Sequence, residues 1–170
     1  MRKLLIILLL TMSQTYGQLD LAVYQDLSLA VSEDDHGNTP FTPDIVAMFK
    51  MYNGGNRRGG DLTRNIMVYV LFEYADLASK EYMRWAMGVG YKIPIWKFYI
   101  EPSVDYGVIK RWGTTMSSNF NTSVSYPITK RLNISILGSL TKRTDLNSYW
   151  GGTNWRTNGY VGATYKLVKE

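Results

Sequence analysis

The stretch Glu81–Lys92, EYMRWAMGVGYK, decides the fold. Met83, Trp85, Met87, Val89 and Tyr91 occupy one parity, while Arg84, Ala86, Gly88, Gly90 and Lys92 occupy the other. Successive side chains of an extended backbone point to opposite sides, so this alternation predicts a strand with one apolar and one polar face. A surface helix would instead repeat its apolar residues every three to four positions.

The alternation continues on both sides. Downstream, Trp96, Phe98, Ile100, Pro102, Val104, Tyr106 and Val108 oppose Lys97, Tyr99, Glu101, Ser103, Asp105 and Gly107. Upstream, Ile66, Val68, Val70, Phe72 and Tyr74 face away from a mixed set, Asn65, Met67, Tyr69, Leu71 and Glu73. Met116, Phe120, Val124 and Tyr126 oppose Thr115, Ser117, Asn119, Asn121, Ser123 and Ser125, and Leu132, Ile134, Ile136 and Leu140 oppose Asn133, Ser135 and Ser139. Val161, Ala163, Tyr165 and Leu167 oppose Arg156, Asn158, Tyr160, Thr164 and Lys166. Two earlier strands are predicted over about Leu19–Val31 and Asp44–Tyr52. Each of these segments has about the 9 to 11 residues that a tilted strand needs to cross a bilayer.

The intervening segments alternate in length, which is the habit of an up-and-down membrane barrel. Outer loops are expected at Ser32–Pro43, Asp76–Lys80, Arg111–Thr114 and Lys142–Asn154, and inner turns at Asn53–Thr63, Ile93–Ile95 and Pro127–Arg131. The fold class expected is therefore all-β: an eight-stranded antiparallel up-and-down transmembrane β-barrel. Its polar parity carries Asp26, Lys50, Glu73, Arg84, Lys97, Glu101, Asp105, Arg156 and Lys166. Eight strands enclose a lumen only wide enough for side chains, so these groups are expected to pair into a network that fills it, and a general pore is not expected. A soluble β-sandwich, or a soluble periplasmic barrel binding a small apolar ligand, would turn the same residues to water.

Aromatic residues, 14% of the chain, supply a second signal, because Trp and Tyr gather where a membrane protein meets the two interfaces. Trp85, Tyr91, Trp96, Phe98, Tyr126 and Tyr165 are the expected interface aromatics. At the N-terminus, Arg2 and Lys3 precede the apolar run Leu4–Leu10, and Thr15 and Gly17 supply small residues before a cut. Residues 1–17 thus read as a cleaved secretory signal peptide, leaving residues 18–170 as one barrel domain. The chain has no cysteine, so neither disulfides, thiolate metal sites nor a lipidated cysteine after the cut are expected. The net charge of +5 is dispersed along the chain rather than clustered, which gives a nucleic-acid role no support.

The runs FEYADL, YMRWAMGVGYKIPI, KFYIEPSVDYG and SVSYPITKRLNISILGSL resemble the small outer-membrane β-barrel proteins of Bacteroidota and of phages infecting them. The likeness is clearest between Phe72 and Leu140. It implies a barrel like OmpX or the OmpA transmembrane domain, located in the bacterial outer membrane, with a structural, adhesive or surface-recognition role and no active site. The implied partners are outer-membrane lipid and lipopolysaccharide, the barrel assembly machinery and an unidentified surface ligand, with a monomeric state and no cofactor or metal. The chain departs from the group in finishing YKLVKE rather than on an aromatic residue.

Catalytic chemistry has few candidates. His36, in SEDDHGN on the first outer loop, lies beside Asp34 and Asp35, and Ser32 or Ser79 could complete a His-carboxylate-hydroxyl set in a rim enzyme of the palmitoyltransferase kind. Asp, Gly and Asn favour turns for backbone reasons alone, and a solvated turn is the preferred reading. DDHGN also lacks the spacing of a calcium loop. Glu101 and Asp105 sit about 13 Å apart at about 3.3 Å per residue, too far for two carboxylates to act on one bond. NGGNRRGGD, from Asn53, lacks the Lys-Ser/Thr of a phosphate loop and reads as a turn whose Arg57 and Arg58 could meet periplasmic polyanions. The best candidate contact surface is the loop KRTDLNSYWGGTN together with the residue that follows it. Here Tyr149, Trp150 and Trp155 provide rigid amphipathic anchors beside Lys142 and Arg143.

Overall fold

The computed structural model describes residues 16–32, 38–53, 65–77, 80–146 and 154–168. Nearly all of the expected signal segment, together with His36, Ser79, Arg57, Arg58, Tyr149 and Trp150, lies outside these residues. Among the described residues there are nine strands: β1 Tyr16–Asp26, β2 Asp44–Asn53, β3 Ile66–Ala75, β4 Tyr82–Tyr91, β5 Ile93–Ile95, β6 Phe98–Lys110, β7 Thr114–Pro127, β8 Leu132–Arg143 and β9 Asn154–Val168. A five-residue helix, α1 Leu27–Val31, follows β1, and a 3-10 turn, Thr144–Leu146, follows β8.

All neighbouring strands pair antiparallel, in the order β4-β3-β2-β1-β9-β8-β7-β6-β5, and β4 also pairs with β6. That last ladder, from Met83↔Lys110 to Gly90↔Ser103, closes the sheet. β5 pairs with β6 as Ile93↔Ile100, Pro94↔Tyr99 and Ile95↔Phe98, in the same register as β4. β4 and β5 are therefore one stave interrupted at Lys92, and the closed barrel has eight staves, as the alternation predicts.

Parity sorts the side chains by face. The outward set includes Phe49, Val70, Trp85, Met87, Val89, Val104, Phe120, Ile136 and Val161, all exposed, whereas Lys50, Tyr69, Glu73, Arg84, Asp105, Asn121 and Ser135 are buried inside. The outward strand positions that carry charge, Lys110 and Lys142, both lie at the ends of their strands facing the longer loops. A soluble barrel would show the reverse distribution; here the described outward positions are mostly apolar, and the interior mixes buried charged and polar groups with residues such as Met48, Met67 and Leu71.

The interior is filled unevenly. Large side chains come from β1 to β3 (Tyr24, Met48, Tyr52, Met67, Tyr69, Leu71), whereas β7 and β8 contribute small polar residues such as Ser123, Ser125, Ser135 and Ser139. One fit is tight. A Cβ on Gly88 would lie 2.3 Å from Tyr69 Cζ and 2.6 Å from the Val104 carbonyl oxygen, so only glycine admits the tyrosine ring there.

Two expectations are corrected. The first strand does not run to Val31, because Asp26 turns the chain into α1: its carboxylate accepts from the Leu29 N–H at 2.9 Å, a helix cap that competes with further strand pairing. The turn expected at Ile93–Ile95 falls instead at Trp96–Lys97, a two-residue hairpin in which Trp96 adopts a positive φ of 52°. Hairpins of this length require such backbone at their centre, and glycine or asparagine, absent here, is the usual sequence signal for it.

Substituting Gly88 by Ala is expected to destabilise the barrel by about 1–3 kcal/mol, as overpacking does. Ala at the outward-facing Gly159, where an added Cβ meets nothing within 4 Å, is expected to be neutral or slightly stabilising. Guanidinium unfolding of the protein folded into vesicles checks the pair.

Candidate functional site

The candidate site has two parts, the filled lumen and the rim at the end carrying the longer loops. From the turn end upward, the lumen is arranged in tiers. In the first, Glu101 on β6 accepts from Lys50 Nζ at 2.6 Å, Tyr52 OH at 2.7 Å and Ser123 Oγ at 3.0 Å, with Lys50 also 3.4 Å from Tyr24 OH. Two residues further along β6, Ser103 is 3.3 Å from Tyr69 OH. Two further still, Asp105 pairs with Arg84, and it also accepts from Asn121 Nδ2 at 2.7 Å and Tyr69 OH at 3.0 Å.

Above these, Glu73 accepts from Tyr82 OH and Tyr160 OH, each at 3.3 Å. At the mouth, Arg143 grips Asp145 with two hydrogen bonds, 2.8 and 2.7 Å, and lays its guanidinium 4.4 Å from the Tyr82 ring centroid. Arg111, in the turn after β6, approaches the same carboxylate at 3.7 Å. Burial and the neighbouring Arg143 lower its affinity for the proton, against the pull of Asp145.

Each carboxylate of the two central pairs thus has several donors. Taking two charges out of water costs several kcal/mol per ion, and only a close partner and additional hydrogen bonds offset that cost. Arg84 is the exception: it is fully buried, yet its Nε and Nη1 find no acceptor among the described residues. Its charge is held in place by Asp105 and has few alternatives.

Of the nine charged residues expected in the lumen, Lys50, Glu73, Arg84, Glu101 and Asp105 come together in these tiers. Asp26 is buried but caps α1. Lys166 is half-buried near the turn end, its ammonium 6.0 Å from the Tyr99 ring centroid. Two corrections follow. Lys97 lies outside the network because it sits in the hairpin turn, exposed, with its ammonium 4.9 Å from the Trp96 ring centroid. Arg156 is exposed near the loop end of β9, where the mouth leaves it in solvent.

Sequence reasoning missed Tyr24, Tyr52, Tyr69, Tyr82 and Tyr160 as network members. Their shared parity with the charged residues is the signal in the sequence that marks them.

Among the expected interface aromatics, Trp85, Phe98, Tyr126 and Tyr165 face outward and are exposed, and Tyr91 is half-buried. Phe98 and Tyr126 lie in ring contact at 5.3 Å near the turn end, and Phe72 and Trp85 at 4.3 Å near the loop end. Of the expected contact residues, Arg143 is turned inward to Asp145, which removes it from the free rim. Lys142 is half-buried, and its carbonyl accepts from Ser117 Oγ at 2.9 Å. Trp155 packs against Phe120 at 5.9 Å, in the manner of an interfacial ring.

The rim holds a feature the alternation could not reveal. Phe41 is 83% exposed at φ 66°, a left-handed backbone rare for so bulky a residue, and its N–H is held by the Leu29 carbonyl at 2.8 Å. Val31 of α1 is exposed as well. Among the described residues no group of three or more potential metal ligands occurs.

No family model matches the sequence, and no curated protein matches it. Solved structures do. The Yersinia pestis outer membrane protein Ail aligns over 89% of this chain and 99% of its own, with a TM-score of 0.55 and 11% identity. A de novo designed protein, TMB2.3, aligns over 91% of this chain and 98% of its own, with a TM-score of 0.50 and 13% identity. At such identities the likeness establishes the fold, a small closed transmembrane β-barrel.

Replacing Arg84 by Met or Asp105 by Leu singly is expected to cost about 3–5 kcal/mol, because each leaves one buried charge uncompensated. The double variant is expected to recover most of that loss. A double-mutant cycle by denaturant unfolding measures the difference.

Proposed function

We propose that this chain is an outer-membrane β-barrel without enzymatic chemistry, serving a structural and surface-recognition or adhesive role through its loop end. In this reading the turn end, where β1 begins and β9 ends, faces the periplasm, as in membrane barrels of even strand number. One observation carries the reading: the lumen is closed by buried ion pairs, whereas Phe41 and Val31 are held exposed at the loop rim. A lumen filled in this way offers no passage for solutes, which leaves the rim as the part able to meet a partner. Strained backbone persists only where its surroundings impose it, and such residues gather at contact sites.

The partners that suit this reading are outer-membrane lipid and lipopolysaccharide around the wall, the barrel assembly machinery during insertion, and a surface ligand at the rim. The protein acts as a monomer. The rim-enzyme alternative rests on His36 and Ser79, which lie outside the described residues, and on Ser32, whose hydroxyl donates to the Ser28 carbonyl at 3.0 Å.

The test compares cells displaying the wild type, Phe41→Ser with Val31→Ser, and a deletion of residues 147–153, which keeps β8, β9 and the Arg143–Asp145 pair in the chain. Attachment to host-cell and matrix-coated surfaces is expected to fall at least about tenfold in the altered forms, with the barrel still migrating differently when unboiled. Unchanged attachment for all of them would reject the adhesive role. In planar bilayers the wild type is expected to show no steady conductance, and His36→Ala is expected to leave the lipid profile of expressing cells unchanged.

A further inference from the structure

Two tight turns stand side by side at the turn end of the barrel. The first joins β5 to β6 and presents Trp96, 86% exposed, with Lys97 beside it. The second joins β7 to β8 and presents Ile128, 52% exposed, followed by the exposed Lys130 and Arg131. Because β6 and β7 are neighbours, the turns are coupled, and the Phe98 and Tyr126 rings touch just above them. Each turn is shaped by its backbone: Trp96 by its left-handed conformation, and the second by hydrogen bonds from Ile128 N–H and Thr129 N–H to the Leu132 carbonyl at 2.9 and 3.0 Å.

The exposed charge of the described residues at this end is one-sided. Among the described residues, the carboxylates nearest to it, Asp20 and Glu101, are buried in the lumen, and Glu101 is already held by Lys50. Asp20 accepts from Gln18 Nε2 at 2.8 and 2.7 Å. Lys97, Lys130 and Arg131 therefore have no exposed acidic neighbour among those residues. An exposed apolar tip flanked by cations, directly beneath a belt of outward rings, combines the two elements that hold a surface to an anionic bilayer: apolar insertion at the interface and attraction to negative headgroups.

We propose that the β5–β6 and β7–β8 turns form a binding surface for the headgroups of anionic phospholipids in the adjoining leaflet. Trp96 and Ile128 enter the interfacial layer, and Lys97, Lys130 and Arg131 meet the negatively charged headgroups. The surface selects phosphatidylglycerol-like lipids over zwitterionic ones and fixes how deeply this end of the barrel sits.

The experiment uses the full chain folded in detergent and exposed to equimolar phosphatidylglycerol and phosphatidylcholine, with retained lipid counted by native mass spectrometry. The wild type is expected to retain phosphatidylglycerol in excess, and Lys97→Gln/Lys130→Gln/Arg131→Gln to lose that excess, at about fivefold in affinity for each cation removed. A Lys80→Gln/Lys110→Gln control at the loop end is expected to keep the preference. The altered residues lie in exposed turns, and the mobility difference between unboiled and boiled samples verifies that each variant is folded. Equal retention of the two lipids by the wild type would overturn the proposal, as would a preference that survives the triple change. So would loss of co-sedimentation with purified peptidoglycan in the triple variant without any lipid preference in the wild type, which would reassign the surface to a periplasmic polyanion.

Discussion

Backbone pairing is the constraint on which everything else here depends. Inside lipid there is no water to satisfy N–H and C=O groups, so a strand can be placed there only if both of its edges are taken. The ladder between β4 and β6, from Met83↔Lys110 to Gly90↔Ser103, supplies the last pair of edges and turns a sheet into a closed wall. Once the wall is closed with this few strands, the width of the interior is set. The side chains of one parity must then fill it, and those of the other must suit hydrocarbon. The chain has no cysteine, so no disulfide assists.

The interior solves a problem that closure creates. Polar side chains of one parity are shut away from solvent and must satisfy one another. Many do so across the barrel, as Lys50 meets Glu101 and Tyr69 bridges Asp105, Ser103 and the Asn121 amide, while others pair along one strand, as Asn119 donates to Asn121 and Ser139 bonds Thr141. The uneven filling helps, since bulky rings on β1 to β4 bring their hydroxyls within reach of the short side chains opposite. Ion pairs of this type add little net stability. They do impose a single arrangement, because each acid has donors only where the register places them.

Much of this was legible in the sequence, for a physical reason: parity is a local property. Met83 through Tyr91 announce which way each side chain points without reference to the rest of the chain, and the same holds for Glu101 and Asp105. What could not be read is what lies opposite. Lys50 and Glu101 are 51 residues apart, so their pairing depends on strand order and register together. Local competition also escaped the pattern. Asp26 continues the strand periodicity on paper, yet its carboxylate serves a helix cap, and Trp96 occupies a left-handed turn position without a glycine to mark it. Phe41 was invisible for a similar reason, since nothing in FTP distinguishes a presented ring from a packed one.

The tiers of the lumen draw almost all of their members from the strands. Asp145 is the one loop-end turn residue that reaches a network arginine among the described hydrogen bonds, and it does so at the mouth. Among the described residues, the loop end is therefore largely uncoupled from the tiers that fill the lumen. Loops already vary more than the elements they connect, and here a change of length or composition there would leave the tiers of Glu101, Asp105 and Glu73 as they are. A lineage carrying this barrel could exchange its exterior repeatedly under selection by hosts, predators or immune surveillance while inheriting the same interior intact. Diversity would then accumulate at one end of the molecule only.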